Sequence, residues 1–108
     1  MKEIRAYVQP YILSRLVQML AEIPDFPGMS VSDCEGFGRD RIEAGKGFTP
    51  FALKKRLEIF TPDELVEPIV SAIMKHAHTG HPGDGKLYVI DVLEGSRIRT
   101  GERGKEIV

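Results

Sequence analysis

A glycine-rich segment near residue 80 carries the strongest chemical signal in the chain. In TGHPGDGKLY, residues 79–88, four residues separate Gly80 from Gly85 and Lys86, which is the spacing of an ATPase phosphate loop. Glycine amides that point into one concavity, together with a lysine charge, suit an anion. Leu87 stands where such enzymes carry a magnesium-binding Ser or Thr. The segment predicts either an anion site or a plain glycine-rich turn.

Two arginines near the end of the chain are a second candidate for anion binding. Arg97 and Arg99 are two residues apart in SRIRTGERG, so they share a face if this segment is extended. Adjacent guanidinium groups repel one another unless an anion lies between them, and a triphosphate fits bidentate arginine contacts. The alternative is a basic rim that only water contacts.

The secondary-structure pattern around the glycine segment argues against ATP hydrolysis. Apolar periodicity predicts a strand, a helix and two strands, then a second helix and a last strand. The four strands are EIRAYVQ, MSVSDCEGF, KKRLEIF and KLYVIDVL; the first helix runs from Leu13 and the second lies before Gly80. The glycine segment therefore follows a helix and enters a strand, which is the reverse of a phosphate loop. This order predicts one α+β domain over residues 1–108 with a ferredoxin-like, four-stranded antiparallel sheet.

The second helix has clear predicted boundaries. Thr61 and Glu64 have the spacing of a capping box, with Thr61 accepting a hydrogen bond from the amide of Glu64. Pro68 lies inside the apolar pattern, where we expect it to bend the helix, and Gly80 ends it.

Composition excludes several kinds of partner. The 108 residues include 15 basic and 16 acidic side chains, without the basic stripe that nucleic acid requires. No stretch approaches the roughly 20 apolar residues of a membrane helix, so we expect no membrane insertion and a cytoplasmic location. The lone Cys34 fits a reducing compartment, and we expect it to be a buried strand residue.

Four blocks spread over nearly the whole chain resemble the PII nitrogen-regulatory signal proteins: QPYILSRLVQML, PGMSVSDCEGFGR, TGHPGDGKLYVIDV and RIRTGE. The resemblance implies a homotrimer that binds ATP or ADP in clefts between subunits. It also implies that a T-loop, residues 38–53, docks onto a target transporter or enzyme. Residues 79–86 would be the phosphate-binding B-loop, and residues 94–108 the C-terminal loop.

The resemblance also assigns roles to individual residues. The phosphate loop would be formed by Gly83, Asp84, Gly85 and Lys86, with Arg97 and Arg99 reaching the phosphates from the neighbouring subunit. Ser30, Glu58 and Phe60 would line the adenine and ribose end, and Gly36, Phe37, Gly38 and Arg39 would open the T-loop.

The T-loop departs from the family pattern. It is short, and it lacks the tyrosine that some members have modified by uridylylation. Asp40 stands where the family has a glutamine that contacts Mg²⁺ and 2-oxoglutarate, and Lys54 aligns with a lysine that positions this acid effector. Phe48, Pro50 and Phe51 form either a patch that docks onto a partner or a cluster that packs against the domain.

Two other function classes remain open. His76, His78 and His81 suggest a metal-responsive member of the PII-like superfamily, although His76 and His78 differ by about 200° around a helix, so we expect no metal site. An anion-responsive regulator tied to a metal or bicarbonate transporter is the related alternative. A small ATPase or phosphatase on the same sheet is a further one. We expect a regulator rather than an enzyme, because Leu87 provides no hydroxyl for magnesium.

Overall fold

Alternation of apolar and polar residues places the first strand inside a four-stranded sheet. The computed structural model describes residues 1–38 and 51–108 of the chain. Strand β1, Lys2–Val8, buries Ile4, Ala6 and Val8 on one face and pairs with a neighbour on each side. The six main elements are β1, α1 (Leu13–Ala21), β2 (Ser30–Gly36), β3 (Ala52–Thr61), α2 (Val66–His76) and β4 (Lys86–Asp91).

The strand order confirms the predicted fold. The sheet runs β2-β3-β1-β4 and every neighbouring pair is antiparallel. This is the order of a ferredoxin-like α+β domain, with the two strand–helix–strand halves interleaved. A small hairpin of β5 (Gly95–Ser96) and β6 (Arg103–Gly104) follows β4. Short 3₁₀ turns, Pro10–Ile12 and Asp63–Leu65, precede the two helices.

The hydrophobic core lies between the helices and one face of the sheet. Leu16 and Leu20 of α1 and Ile69 and Ile73 of α2 are almost fully buried. They pack with sheet residues of the same cluster: Ile4, Ala6, Val8, Leu57 and Ile59. Each large aliphatic side chain buried in this way contributes about 1.5–3 kcal/mol. The core therefore fixes which face of each strand points away from the helices.

The opposite side of the sheet carries polar and aromatic side chains, and we call it the open face. It is formed by alternate residues of all four strands, including Glu3, Arg5, Tyr7, Ser30, Cys34, Lys54, Arg56, Glu58, Phe60, Lys86 and Tyr88. Glu3 is buried there and accepts two 2.8 Å hydrogen bonds from the guanidinium group of Arg5. Phe60 and Tyr88 remain half exposed. Neither α-helix of the described residues, 1–38 and 51–108, covers the open face.

The start of α2 differs from the sequence prediction. Thr61 is the last residue of β3 and is fully buried, and its hydroxyl donates to the carbonyl of Pro62 at 3.1 Å, so the capping box was wrong. Because the α-helix begins at Val66, Pro68 lies in its first turn, where amides have no partner within the helix. The expected bend at Pro68 therefore has no cause. The helix ends at His76, four residues before Gly80.

Two other predictions also need correction. The segment with Arg97 and Arg99 is not extended: it forms a tight turn, in which the amide of Gly101 donates to the carbonyl of Arg97 at 2.7 Å. Cys34 lies on a strand as predicted, but that strand, β2, is at the edge of the sheet, and Cys34 is only partly buried. β3 begins at Ala52, which lies inside the range predicted for the T-loop.

Neither α-helix of the described residues has the length and apolar content needed to cross a membrane.

Candidate phosphate-binding site

A single carboxylate organises the loop between α2 and β4. Asp84 accepts hydrogen bonds from the amides of Thr79, at 2.7 Å, and Gly80, at 2.9 Å, and from the hydroxyl of Thr79. The imidazole of His78 lies 3.7 Å from the same carboxylate. These bonds, first of all the one from the Thr79 hydroxyl, lower the pKa of Asp84 to about 2. The carboxylate closes residues 79–84 into a fixed turn.

Glycines allow this loop to lie directly against the first strand. Gly83 and Gly85 have φ angles of +94° and +97°, a region that other residues enter only with strain. A Cβ atom on Gly85 would lie 2.8 Å from the carbonyl carbon of Tyr7 and closer still to its oxygen. The backbone at Gly85 therefore touches the backbone of β1. This contact holds the loop amides in place before any ligand arrives.

Three cationic side chains share the recess beside this loop. Lys86 is the first residue of β4, and Lys54 of β3 donates its ammonium hydrogen to the carbonyl of Gly83. Arg56 follows Lys54 on the same face of β3. In the cross-strand register, Tyr7 lies opposite both Arg56 and Lys86 and forms the floor between them. The recess measures about 900 Å³ and is lined by all four side chains.

The end of β2 forms the other wall of the recess. Gly36, Phe37 and Gly38 all line it. The ring of Phe37 lies against that of Phe51, with centroids 5.1 Å apart and planes tilted by 56°, a favourable aromatic geometry. The predicted loop entrance, the predicted phosphate loop and Lys54 thus meet around one cavity, although they are far apart in the sequence.

Comparison with known proteins identifies the family. The family profile described as nitrogen regulatory protein P-II matches residues 1–102. The chain is 38% identical to "Nitrogen regulatory protein P-II" of Azospirillum brasilense over 113 aligned positions that cover all of both chains. It is 40% identical to "Nitrogen regulatory protein P-II 1" of Escherichia coli K12 over 94% of this chain and 95% of the relative. The chain belongs to the P-II family. It is thus a signal-transduction regulator of the nitrogen-regulatory type, and proteins of this family are regulatory rather than catalytic.

Three of the predicted P-II site residues do not line the recess of their own chain. Ser30 and Glu58 face each other across the pair β2–β3, and Phe60 lies two residues further along β3. Ser30 and Gly36 are at opposite ends of a seven-residue strand, so about 20 Å separates them. The residues predicted for the adenine and ribose end therefore lie on the open face outside the recess of their own chain.

The two predicted arginines also lie outside the recess of their own chain. Arg97 contacts Glu102, with 3.5 Å between the guanidinium and carboxylate atoms, and donates to the carbonyl of Val108 at 3.4 Å. Arg99 is exposed in the turn between β5 and β6. Neither arginine is among the residues that line the recess. A role for them at a phosphate group requires a second copy of the chain.

Four predicted residues lie outside the part of the chain that the structure describes. These are Arg39, Asp40, Phe48 and Pro50. The predicted magnesium contact of Asp40 and the predicted partner patch therefore remain predictions. Phe51, the last member of that patch, is 58% exposed even though it contacts Phe37. This exposure leaves most of its ring available at the surface.

The sequence prediction missed several residues that line the recess, among them Tyr7 and Arg56. Both belong to strands with clear alternation. Since Lys54 and Arg56 are two residues apart on a strand, they must share a face, and this signal was present in the sequence.

Among residues 1–38 and 51–108, His, Cys, Asp and Glu form no group of three that could hold a metal ion.

Proposed function

We propose that this P-II protein binds ATP or ADP, accompanied by Mg²⁺, and reports the bound nucleotide to a target protein through residues 38–53. The observation that carries the proposal is the recess in which a preformed glycine loop meets Lys54 and Lys86. Backbone amides and ammonium groups are both donors that commonly bind phosphate in proteins. The target is an unidentified transporter or enzyme.

The phosphate chain is the part of the nucleotide with the strongest support. The loop is held in shape by the carboxylate of Asp84 and by the contact between Gly85 and Tyr7. Little conformational freedom is therefore lost when a ligand binds. Lys86 is exposed at the start of β4 and is available to a phosphate oxygen. Charge-assisted hydrogen bonds of this kind contribute about 1.5–3 kcal/mol each.

The adenosine part of the site supports a homotrimer. Ser30, Glu58 and Phe60 lie on the open face but do not line the recess of their own chain, and Ser30 is about 20 Å from Gly36 at the loop entrance. In a ring of identical subunits, the adenine end of one chain meets the phosphate loop of the next. Arg97 and Arg99 would then reach the phosphates from the neighbouring chain.

Binding without hydrolysis fits the same residues. Leu87 provides no hydroxyl for Mg²⁺ after Lys86, and β4 follows the loop where a hydrolase has a helix N-terminus. Signal transfer requires only that the ligand changes the loop entrance. Phe37 lines the recess and contacts Phe51, and these two residues flank residues 38–50 in the sequence, so a ligand that moves either ring would also move the start or the end of that segment.

Calorimetric titration of ATP and ADP into the wild type and a Lys86→Ala variant tests the proposal. We expect the variant to bind at least tenfold more weakly, from the energy of one charge-assisted bond. Lys55→Ala is the matched control, because Lys55 lies on the helix side of β3 and pairs with Asp33. Unchanged ATP affinity in Lys86→Ala would contradict the phosphate site, whereas unchanged affinity in Arg99→Ala would remove only the arginine turn from it.

A further inference from the structure

Arg56 lines the recess, but it lies on β3 and belongs neither to the glycine loop nor to the T-loop. Its register partner on β1 is Tyr7, and the partner of Tyr7 on β4 is Lys86. Adjacent strands are about 4.8 Å apart, so the backbones of Arg56 and Lys86 lie about 10 Å from each other across the floor of the recess. Both side chains line the same cavity. A phosphate chain that rests on Lys86 therefore lies within reach of the guanidinium group.

The hydrogen bonds of Arg56 are incomplete in the single chain. One terminal nitrogen contacts the carboxylate of Glu58 at 3.1 Å. The Nε atom is buried and has no hydrogen-bond partner. A buried donor without a partner is unfavourable, and native structures usually provide an acceptor for it. The guanidinium fork thus has one partner and retains donors for a second acceptor.

The charge balance of the recess also favours an anion at this place. Lys54, Arg56 and Lys86 bring three positive charges to its lining, and the acids there are Glu35 and Asp84. The carboxylate of Asp84 already accepts three hydrogen bonds within the loop. The contact with Glu58 compensates only one edge of the guanidinium group.

We propose that Arg56 contacts the bound phosphate chain directly, as a third cation beside Lys54 and Lys86. The proposal rests on the proposed nucleotide function and adds one residue to its ligand set. The planar fork of Arg56 offers two parallel N–H donors to two phosphate oxygens, a fixed geometry that an ammonium group lacks. Arg56 therefore determines how tightly the site holds a polyphosphate, and it has a role beyond its pairing with Glu58.

The test measures binding of two probes, ATP and inorganic tripolyphosphate, to the full-length protein and its Arg56→Gln variant by calorimetry. We expect both probes to bind at least tenfold more weakly, because both carry the phosphate chain. Arg56→Lys should recover only part of the affinity, since it restores charge without the fork. Lys55→Gln removes the neighbouring charge from the other side of β3 and should change both affinities by less than twofold.

A second variant separates contact from an indirect effect. Arg56→Gln leaves the carboxylate of Glu58 without its partner, and this negative charge alone would repel an anion. The double variant Arg56→Gln with Glu58→Gln removes that charge. Direct contact predicts that tripolyphosphate still binds at least tenfold more weakly to the double variant than to the wild type, whereas recovery of wild-type affinity would overturn the proposal.

The remaining outcomes are equally distinct. Arg56→Gln binding within threefold of the wild type, or a loss for ATP without a loss for tripolyphosphate, would overturn the role of Arg56 and leave the nucleotide site intact. A wild type that binds neither probe would overturn the proposed function itself. Thermal denaturation of each variant verifies that it is folded before its affinity is compared.

Discussion

Replacement of Gly85 by alanine is the most direct test of how the phosphate loop is held. The added Cβ atom would lie 2.8 Å from the carbonyl carbon of Tyr7 and closer to its oxygen, and both belong to the backbone of the central strand β1. Neither atom is able to rotate away. The loop and the start of β4 must therefore separate from β1 near the register pair of Tyr7 with Lys86.

The expected loss of folding stability in Gly85→Ala has two parts. Alanine at a φ of +97° costs about 1–2 kcal/mol of backbone strain. Separation at the end of the strand pair disrupts one or two backbone hydrogen bonds, each of which contributes about 1 kcal/mol. We expect Gly85→Ala to lower the free energy of unfolding by about 3 kcal/mol in total. For a domain of this size, each kcal/mol corresponds to a decrease in Tm of about 4–8 °C.

Gly83→Ala is the matched control, because it separates strain from collision. Its φ of +94° is nearly the same, but its Cβ would meet the flexible ends of the Gln9 and Lys54 side chains. We expect the free energy of unfolding of Gly83→Ala to fall only by the backbone strain, about 1–2 kcal/mol. Urea denaturation at one protein concentration measures both variants. Losses that agree within 0.5 kcal/mol would refute the argument that Gly85 is fixed by backbone contact.

Three further predictions concern pH, assembly and effector choice. The folded state holds the pKa of Asp84 at about 2, below its usual 3.8, so its stabilising effect is present above pH 4 and is lost as the pH falls from 4 to 2. Urea midpoints should show a smaller pH dependence in this interval for Asp84→Asn, and an unchanged dependence would contradict the role of Asp84. The protein should sediment as a homotrimer at micromolar concentration, and a monomer would remove the intersubunit cleft. 2-Oxoglutarate should bind weakly or not at all to protein saturated with Mg²⁺ and ATP. We expect this because Asp40, if it takes the place of the family glutamine, would add a negative charge that repels a dicarboxylate by roughly 4 kcal/mol at 4 Å and an effective dielectric near 20. Calorimetry on the wild type and on Asp40→Gln checks this, and micromolar binding by the wild type would refute the charge argument.

Local patterns predicted the sheet because each strand obeys a simple period. Ile4, Ala6 and Val8 alternate with polar residues, and burial follows that alternation except at Glu3, which is buried on the open face beside Arg5. The spacing of glycines and Lys86 likewise identified the loop as a candidate anion site. These features depend on short segments whose side chains alone decide which conformation is favourable.

The wrong predictions have a common cause in competition between neighbouring elements. Thr61 has the sequence of a helix cap, but its backbone continues β3 and pairs with Lys2, so its hydroxyl never faces the amide of Glu64. Arg97 and Arg99 would share a face only in an extended segment, but backbone hydrogen bonds of Arg97 with Gly101 and Glu102 close a turn that contains Arg99. In each case, a backbone contact that the local pattern does not contain determined the conformation.

The amino-acid sequence by itself determined the order of strands and helices, the glycine loop and the family to which the chain belongs, since all three depend on residue types at fixed spacing. Only the tertiary structure decided which of these residues meet. Lys54 and Gly83 are 29 positions apart, and they touch because β1 pairs with both β3 and β4. The same pairing puts Arg56 and Lys86 on either side of Tyr7. Such neighbours follow from strand order and register, which arise from burial of one sheet face under both helices and are not encoded in any single segment.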